Sequence, residues 1–153
     1  MREDQSYRRI VVRTAMTSPA ETVLPEETLQ AAAARMRARN IGLLVVRDGT
    51  GRVRGVITDR DVTTRAVAEG LDPNGTPVKL AMTPQVFTCR EEDDIAEAAR
   101  IMEERAVRRL IVLGRDGRLA GVLSLDDVAR ILGDEALAGE VLGRVAEPSP
   151  PET

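Results

Sequence analysis

The sequence predicts a mixed α/β (α+β) fold made of two copies of one unit, each strand, helix, strand, strand, helix, packed by pseudo-twofold symmetry. Three observations carry this. The segment from Thr14 to Arg65 recurs 66 positions later (82 minus 16, 127 minus 61) with no insertion or deletion. Each copy holds an apolar stripe at helical spacing. Each then holds two apolar runs separated by a turn-rich stretch, the mark of a hairpin.

The N-terminal arm, residues 1–11, is polar at its start. The first repeat, 12–70, opens with a short strand near Glu21 to Val23 and continues with a helix from Thr28 to Arg39 that places Leu29, Ala32, Ala33 and Met36 on one face. The corresponding face in repeat two carries Ile95, Ala98, Ala99 and Met102. There Asp94 is placed as the cap and Glu97 as its third-position partner, so the run Glu91 to Asp94 reads as a solvated helix start rather than a metal site. Next come Ile41 to Val46 and Val53 to Ile57 around Asp48-Gly49-Thr50-Gly51, matched by Leu110 to Leu113 and Leu119 to Leu123 around Gly114 to Gly117. A second helix follows each hairpin, entered through Thr58 or Ser124. Gly70 to Pro77 is dense in turn residues and contains the linker, 71–77. Repeat two spans 78–132, and its Val78 falls in register with Val12. Residues 133–146 have the composition of an appended helix, with Leu137, Val141 and Leu142 as its apolar stripe, and 147–153 a proline-rich tail.

Composition limits the function. The chain has 153 residues, and each repeat alone is too short for an adequate core, so the halves are expected to share one. Apolar residues make up 42% but aromatics only 1%, which leaves a core of Val, Leu, Ile, Ala and Met. The 22 basic and 25 acidic residues are spread along the chain, giving no basic face for nucleic acid and no aromatic platform for stacked bases. No run reaches membrane-spanning length and the start lacks a signal-peptide core, so a cytoplasmic protein is expected. Histidine is absent and cysteine occurs once, so no zinc-type ligand set forms. Cys89, aligned with Val23 on a short strand, reads as a buried small hydrophobe. With no histidine, serine elbow or activated cysteine, catalytic residues are not expected.

The informative residues are Thr58 with Asp61 and Ser124 with Asp127, each pair where a buried strand hands over to a helix. One reading is a helix cap, hydroxyl on early N–H groups and acid at the positive helix end. The other is a nucleotide site: phosphate on free N–H groups and hydroxyl, ribose on the carboxylate, base among aliphatic side chains. Gly55 and Gly121 recur just before, serving either a close contact or the turn.

The two strand-helix-strand-strand-helix units, the Ala-Met-Thr lead-in and the Gly-x-x-Thr/Ser-x-x-Asp exit resemble a tandem pair of CBS (cystathionine beta-synthase) domains, a Bateman module, over about Val12 to Leu132. Thr58-Asp59-Arg60-Asp61 followed by Gly70-Leu71-Asp72-Pro73-Asn74 is similar to the small stand-alone hypoxic-response CBS proteins. The resemblance implies clefts between the repeats that bind AMP, ADP, ATP or S-adenosylmethionine, with no required cofactor. It places Thr58 and Ser124 on phosphate or ribose and Asp61 and Asp127 on ribose hydroxyls. Met16-Thr17, Met82-Thr83, Ile41 and Val107 would frame the base. Arg60, where repeat two has Asp126, offers a cation and favours the first site for phosphorylated ligands. Arg108 and Arg109 replace Gly42 and Leu43 and either reach phosphate or form a solvated strand end. The expected function is a homodimeric, adenine-nucleotide-responsive module signalling to an effector protein. The alternative is a homodimeric interaction protein with empty sites.

Overall fold

The structure is a computed structural model that describes residues 10–133, so most of the N-terminal arm, the appended helix and the tail lie outside the described residues. In chain order the elements are α1 (Val12–Ala15), β1 (Thr22–Val23), α2 (Leu29–Arg39), β2 (Leu43–Arg47), β3 (Val53–Thr58) and α3 (Asp59–Asp61). After them come β4 (Thr88–Arg90), α4 (Ile95–Arg105), β5 (Arg109–Leu113), β6 (Leu119–Ser124) and α5 (Leu125–Leu132). Both copies thus follow the predicted order. The sheets are β1-β2-β3 and β4-β5-β6. In the first, β1 runs parallel to β2 with Thr22 opposite Val45, and β2 runs antiparallel to β3 with Leu43 opposite Thr58. In the second, β4 runs parallel to β5 with Thr88 opposite Ile111.

The chain forms two compact units, and they exchange their leading segments. The first unit is Pro19–Val86 with Gly117–Leu119; the second contains the segments up to Ser18, Phe87–Asp116 and from Ala120 onward. A turn of 3-10 helix at Val78–Leu80, which belongs by register to the second repeat, therefore lies in the first unit, where the Val78 N–H donates to the Glu27 carbonyl at 2.8 Å. Helix α1 does the reverse: the Val12 N–H donates to the Asp93 carbonyl at 2.9 Å.

The single core expected from the sequence is instead two clusters. Val23, Leu29, Ala32, Met36, Leu44, Val46, Ile57 and Ala66 enclose the borrowed Val78 and Ala81. Cys89, Ile95, Ala98, Met102, Leu110, Val112, Leu123 and Val128 enclose the borrowed Val12 and Ala15. Each large aliphatic side chain so buried is worth roughly 1.5–3 kcal/mol over its exposed form, which is how repeats too short to fold alone are completed. Cys89 sits in this second core as the sequence suggests, and burial, with Asp93 adding its charge, pushes its thiol up to about 12.

Three local expectations change. Ala33 is exposed, because Leu29 and Met36 decide how α2 rotates and one methyl adds too little area to move it. Asp94 caps α4 by accepting from the Ala96 N–H at 2.9 Å, but Glu97 turns to Arg100 at the next turn instead of back to the cap. The first repeat's second helix is irregular. After the single α-turn of α3, residues Val62–Val67 widen into a π-helical stretch, whereas α5 is regular. The β-branched run Val62-Thr63-Thr64 disfavours a tight helix, and the Thr63 and Thr64 hydroxyls donate to the carbonyls of Asp59 and Arg60 four residues back.

Candidate functional site

Each compact unit builds one corner, where a sheet strand enters a helix. In the first unit Thr58 caps α3: its Oγ1 accepts from the Asp61 N–H at 3.0 Å, and Asp61 Oδ2 accepts from the Thr58 N–H at 3.0 Å. In the second, Ser124 Oγ and Asp127 Oδ2 make the same reciprocal pair, both bonds at 3.1 Å. Both aspartates are buried, and the reciprocal bonds satisfy the cap N–H and the third N–H of each helix. The capping arrangement read from the spacing is present in both copies.

The exchanged segments complete these corners. Thr83 and Val56 trade backbone bonds at 2.8 and 2.9 Å, and Thr17 and Val122 at 2.9 and 3.1 Å. Gly55 and Gly121 make this approach possible. A Cβ on Gly55 would lie 3.0 Å from Pro84 Cα and closer still to the Thr83 carbonyl oxygen; one on Gly121 would lie 2.5 Å from the Thr17 carbonyl oxygen. Of the two roles left open for these glycines, close backbone contact is the one observed.

Thr58, Arg60, Asp61, Ile41, Met82 and Thr83 thus fall in the first unit, and Ser124, Asp127, Val107, Arg108, Arg109, Met16 and Thr17 in the second. Met82 and Ile41 pack at the edge of the first core, and Met16 and Val107 at the edge of the second. The corners differ in detail. Thr83 Oγ1 donates to Asp61 Oδ1 at 3.2 Å; Thr17, its counterpart, is exposed and makes no such bond to Asp127.

Three further residues belong here. Arg65 Nε lies 3.7 Å from Asp61 Oδ1, Arg130 Nη2 donates to Asp127 Oδ1 at 2.6 Å, and Asp59 lies against Gly42. The spacings Asp61 to Arg65 and Asp127 to Arg130, four and three residues, are the signal that identifies the two arginines in the sequence.

The free N–H groups expected at the first entrance are engaged. Those of Asp59, Arg60 and Asp61 donate to the Gly42 carbonyl, the Asp59 carboxylate and Thr58 respectively. At the second entrance the Leu125 N–H donates to the Arg108 carbonyl and the Asp127 N–H to Ser124, while the Asp126 N–H has no partner among the described residues. The side chains of Arg60, Arg108 and Arg109 are exposed.

Comparison with known proteins follows the same division. The CBS domain family matches residues 4–67 and 78–134. Hypoxic response protein 1 of Mycobacterium tuberculosis is 34% identical over 125 residues, 82% of this chain and 87% of that one. The crystal structure of Hypoxic Response Protein I, with two coordinated zinc ions, matches with a TM-score of 0.69 and 35% identity, covering 79% and 98% of the two chains. That of CBSX2 in complex with AMP matches with a TM-score of 0.67 and 26% identity over 80% and 95%. This sequence has no histidine, and the described residues hold no group of three or more His, Cys, Asp or Glu side chains able to bind a metal ion. No helix among the described residues is long and apolar enough to cross a membrane.

Proposed function

This chain belongs to the CBS domain family, with one copy in each half, and from that membership we propose that it is a regulatory module binding adenosine-containing ligands and signalling their occupancy to a partner protein. The observation that supports this reading is the duplicated corner, a hydroxyl and a buried carboxylate at a helix entrance beside aliphatic side chains. AMP, ADP and ATP are the first ligands to consider, since a structural neighbour is described in complex with AMP, and S-adenosylmethionine shares their nucleoside. Asp61 and Asp127 take the ribose hydroxyls, Thr58 and Ser124 the ribose or phosphate, and Met82, Ile41, Met16 and Val107 the base. Arg60 is the cation that favours the first corner for phosphate, and Arg108, Arg109 and the Asp126 N–H, which has no partner among the described residues, are the donors offered by the second. The module acts in the cytoplasm as a homodimer and uses no catalytic residue.

Calorimetry and thermal shift with AMP, ADP, ATP and S-adenosylmethionine test the sensing role. Silence at millimolar ligand would end it. Asp61→Asn keeps a cap acceptor but removes the charge; it should weaken ribonucleotide binding several-fold while barely changing the 2′-deoxy analogue. Equal loss for both would make Asp61 a cap only.

A second reading has its own support. Each carboxylate already accepts a cap N–H and faces an arginine, as in a structural element that binds nothing. On that reading the protein is a homodimeric interaction module with empty sites. It predicts a dimer by sedimentation at tens of micromolar and no response in the ligand screen.

A further inference from the structure

Asp61 has little room for a ligand as it stands. Its side chain is 10% exposed; Oδ2 accepts the Thr58 N–H, the Thr83 hydroxyl sits 3.2 Å from Oδ1, and Arg65 covers the remaining approach at 3.7 Å. A carboxylate has about four lone-pair positions, and a ribose cis-diol needs two of them. One present partner must leave.

The three partners are not equally held. The Thr58 N–H is fixed by the helix cap, and Thr83 by its paired backbone bonds to Val56. Arg65 makes the longest of these contacts and is 51% exposed. A half-exposed ion pair of this length is worth up to about a fivefold change in an equilibrium constant, so it is the cheapest to open. The same guanidinium donates through Nη1 to the Met82 carbonyl at 3.1 Å. One side chain therefore ties the helix entrance to the segment borrowed from the other repeat.

We propose that Arg65 is a built-in competitor for the ribose hydroxyls at Asp61, so that a nucleoside entering the first corner displaces it and loosens the Met82–Thr83 segment. The inference rests on the reading of Asp61 as the ribose acceptor and adds the means by which occupancy is transmitted. Binding that opens this tether favours the loosened arrangement by the difference in affinity between the two states. The device is confined to the first unit. Arg130 pairs with Asp127 but, among the described residues, makes no bond to the exchanged Met16 carbonyl.

The test compares wild-type protein with Arg65→Gln and Arg65→Lys, using adenosine and 2′,3′-dideoxyadenosine in calorimetry and amide hydrogen exchange at Thr83 and Val56. Arg65→Gln should bind adenosine about two- to fivefold more tightly and leave the dideoxy analogue unchanged. Without ligand its Thr83 amide should exchange at the rate that wild type reaches only with adenosine. Arg65→Lys, which keeps the charge but loses the fork, should fall between. Equal or weaker adenosine binding in Arg65→Gln overturns the competitor role while leaving sensing intact, and so does a parallel shift for both nucleosides. Adenosine binding to neither protein overturns the sensing reading and this inference together.

Discussion

Replacing Gly55 by alanine should unseat the borrowed segment of the first unit. The new Cβ would lie 3.0 Å from Pro84 Cα, 3.2 Å from the Thr83 carbonyl carbon and nearer still to its oxygen. All three are backbone atoms, which cannot swing aside as the end of a side chain does. Relief requires β3 and residues 83–84 to separate, at the expense of the two Val56–Thr83 bonds, about 1 kcal/mol each. Keeping the bonds instead means overpacking, at about 1–3 kcal/mol. Alanine also restricts the unfolded chain, returning about 0.4–1 kcal/mol. The net expectation is a loss of about 1–2 kcal/mol, or roughly 2–8 °C in the thermal midpoint for a chain of this length. Gly49→Ala is the control, since nothing lies within 4 Å of its added Cβ, and it should stay within about 0.5 kcal/mol of wild type. Urea denaturation followed by circular dichroism measures both. If Gly55→Ala is no less stable than Gly49→Ala, the close approach does not hold the segment and the argument from these glycines is wrong.

Three further outcomes concern Cys89 and Ala106. Cys89 should react with a thiol reagent at pH 8 far more slowly in the native protein than in urea. Because its folded pKa is raised to about 12 from 9.0, the stability it contributes is whole below pH 9 and declines as pH rises towards 12; Cys89→Val should remove that decline in alkaline denaturation. Ala106 ends α4 with φ at 54°, a left-handed conformation that strains an alanine, so Ala106→Gly should raise stability by about 0.5–1 kcal/mol in the same urea assay. No gain there would mean that the strain is absorbed elsewhere.

Periodicity and register made most of the fold legible. The 66-residue offset located the strands and the two main helices of each copy, though not α1 or the 3-10 turn at Val78–Leu80, and the Thr58/Asp61 and Ser124/Asp127 spacing located both caps. A repeat says which residues are equivalent but not which copy completes which core. Val78 and Val12 were legible as partners in register, yet nothing in either segment marks that each is buried under the other repeat's helix. Gly55 shows the same limit. Its recurrence was plain, while its reason lies in the Thr83 backbone, 28 residues away (83 minus 55). The π-helical stretch after α3 has a local cause in Val62-Thr63-Thr64, but it depends on hydroxyl geometry that residue type alone does not fix.

The exchange of leading segments sets an order of events during synthesis. Residues 19–86, which hold the first unit's sheet and its borrowed turn, emerge as one continuous stretch and can close as soon as Thr83 meets Val56. The second unit must wait. Thr17 finds its partner only when Val122 has left the ribosome, a delay of about 5–20 s at ordinary elongation rates. During that interval Val12 and Ala15 have no core to enter, so the N-terminal segment is the part of a nascent chain most exposed to chaperones, proteases or pairing with a neighbouring polypeptide. Removing it would leave the N-terminal sheet intact and cripple the C-terminal one.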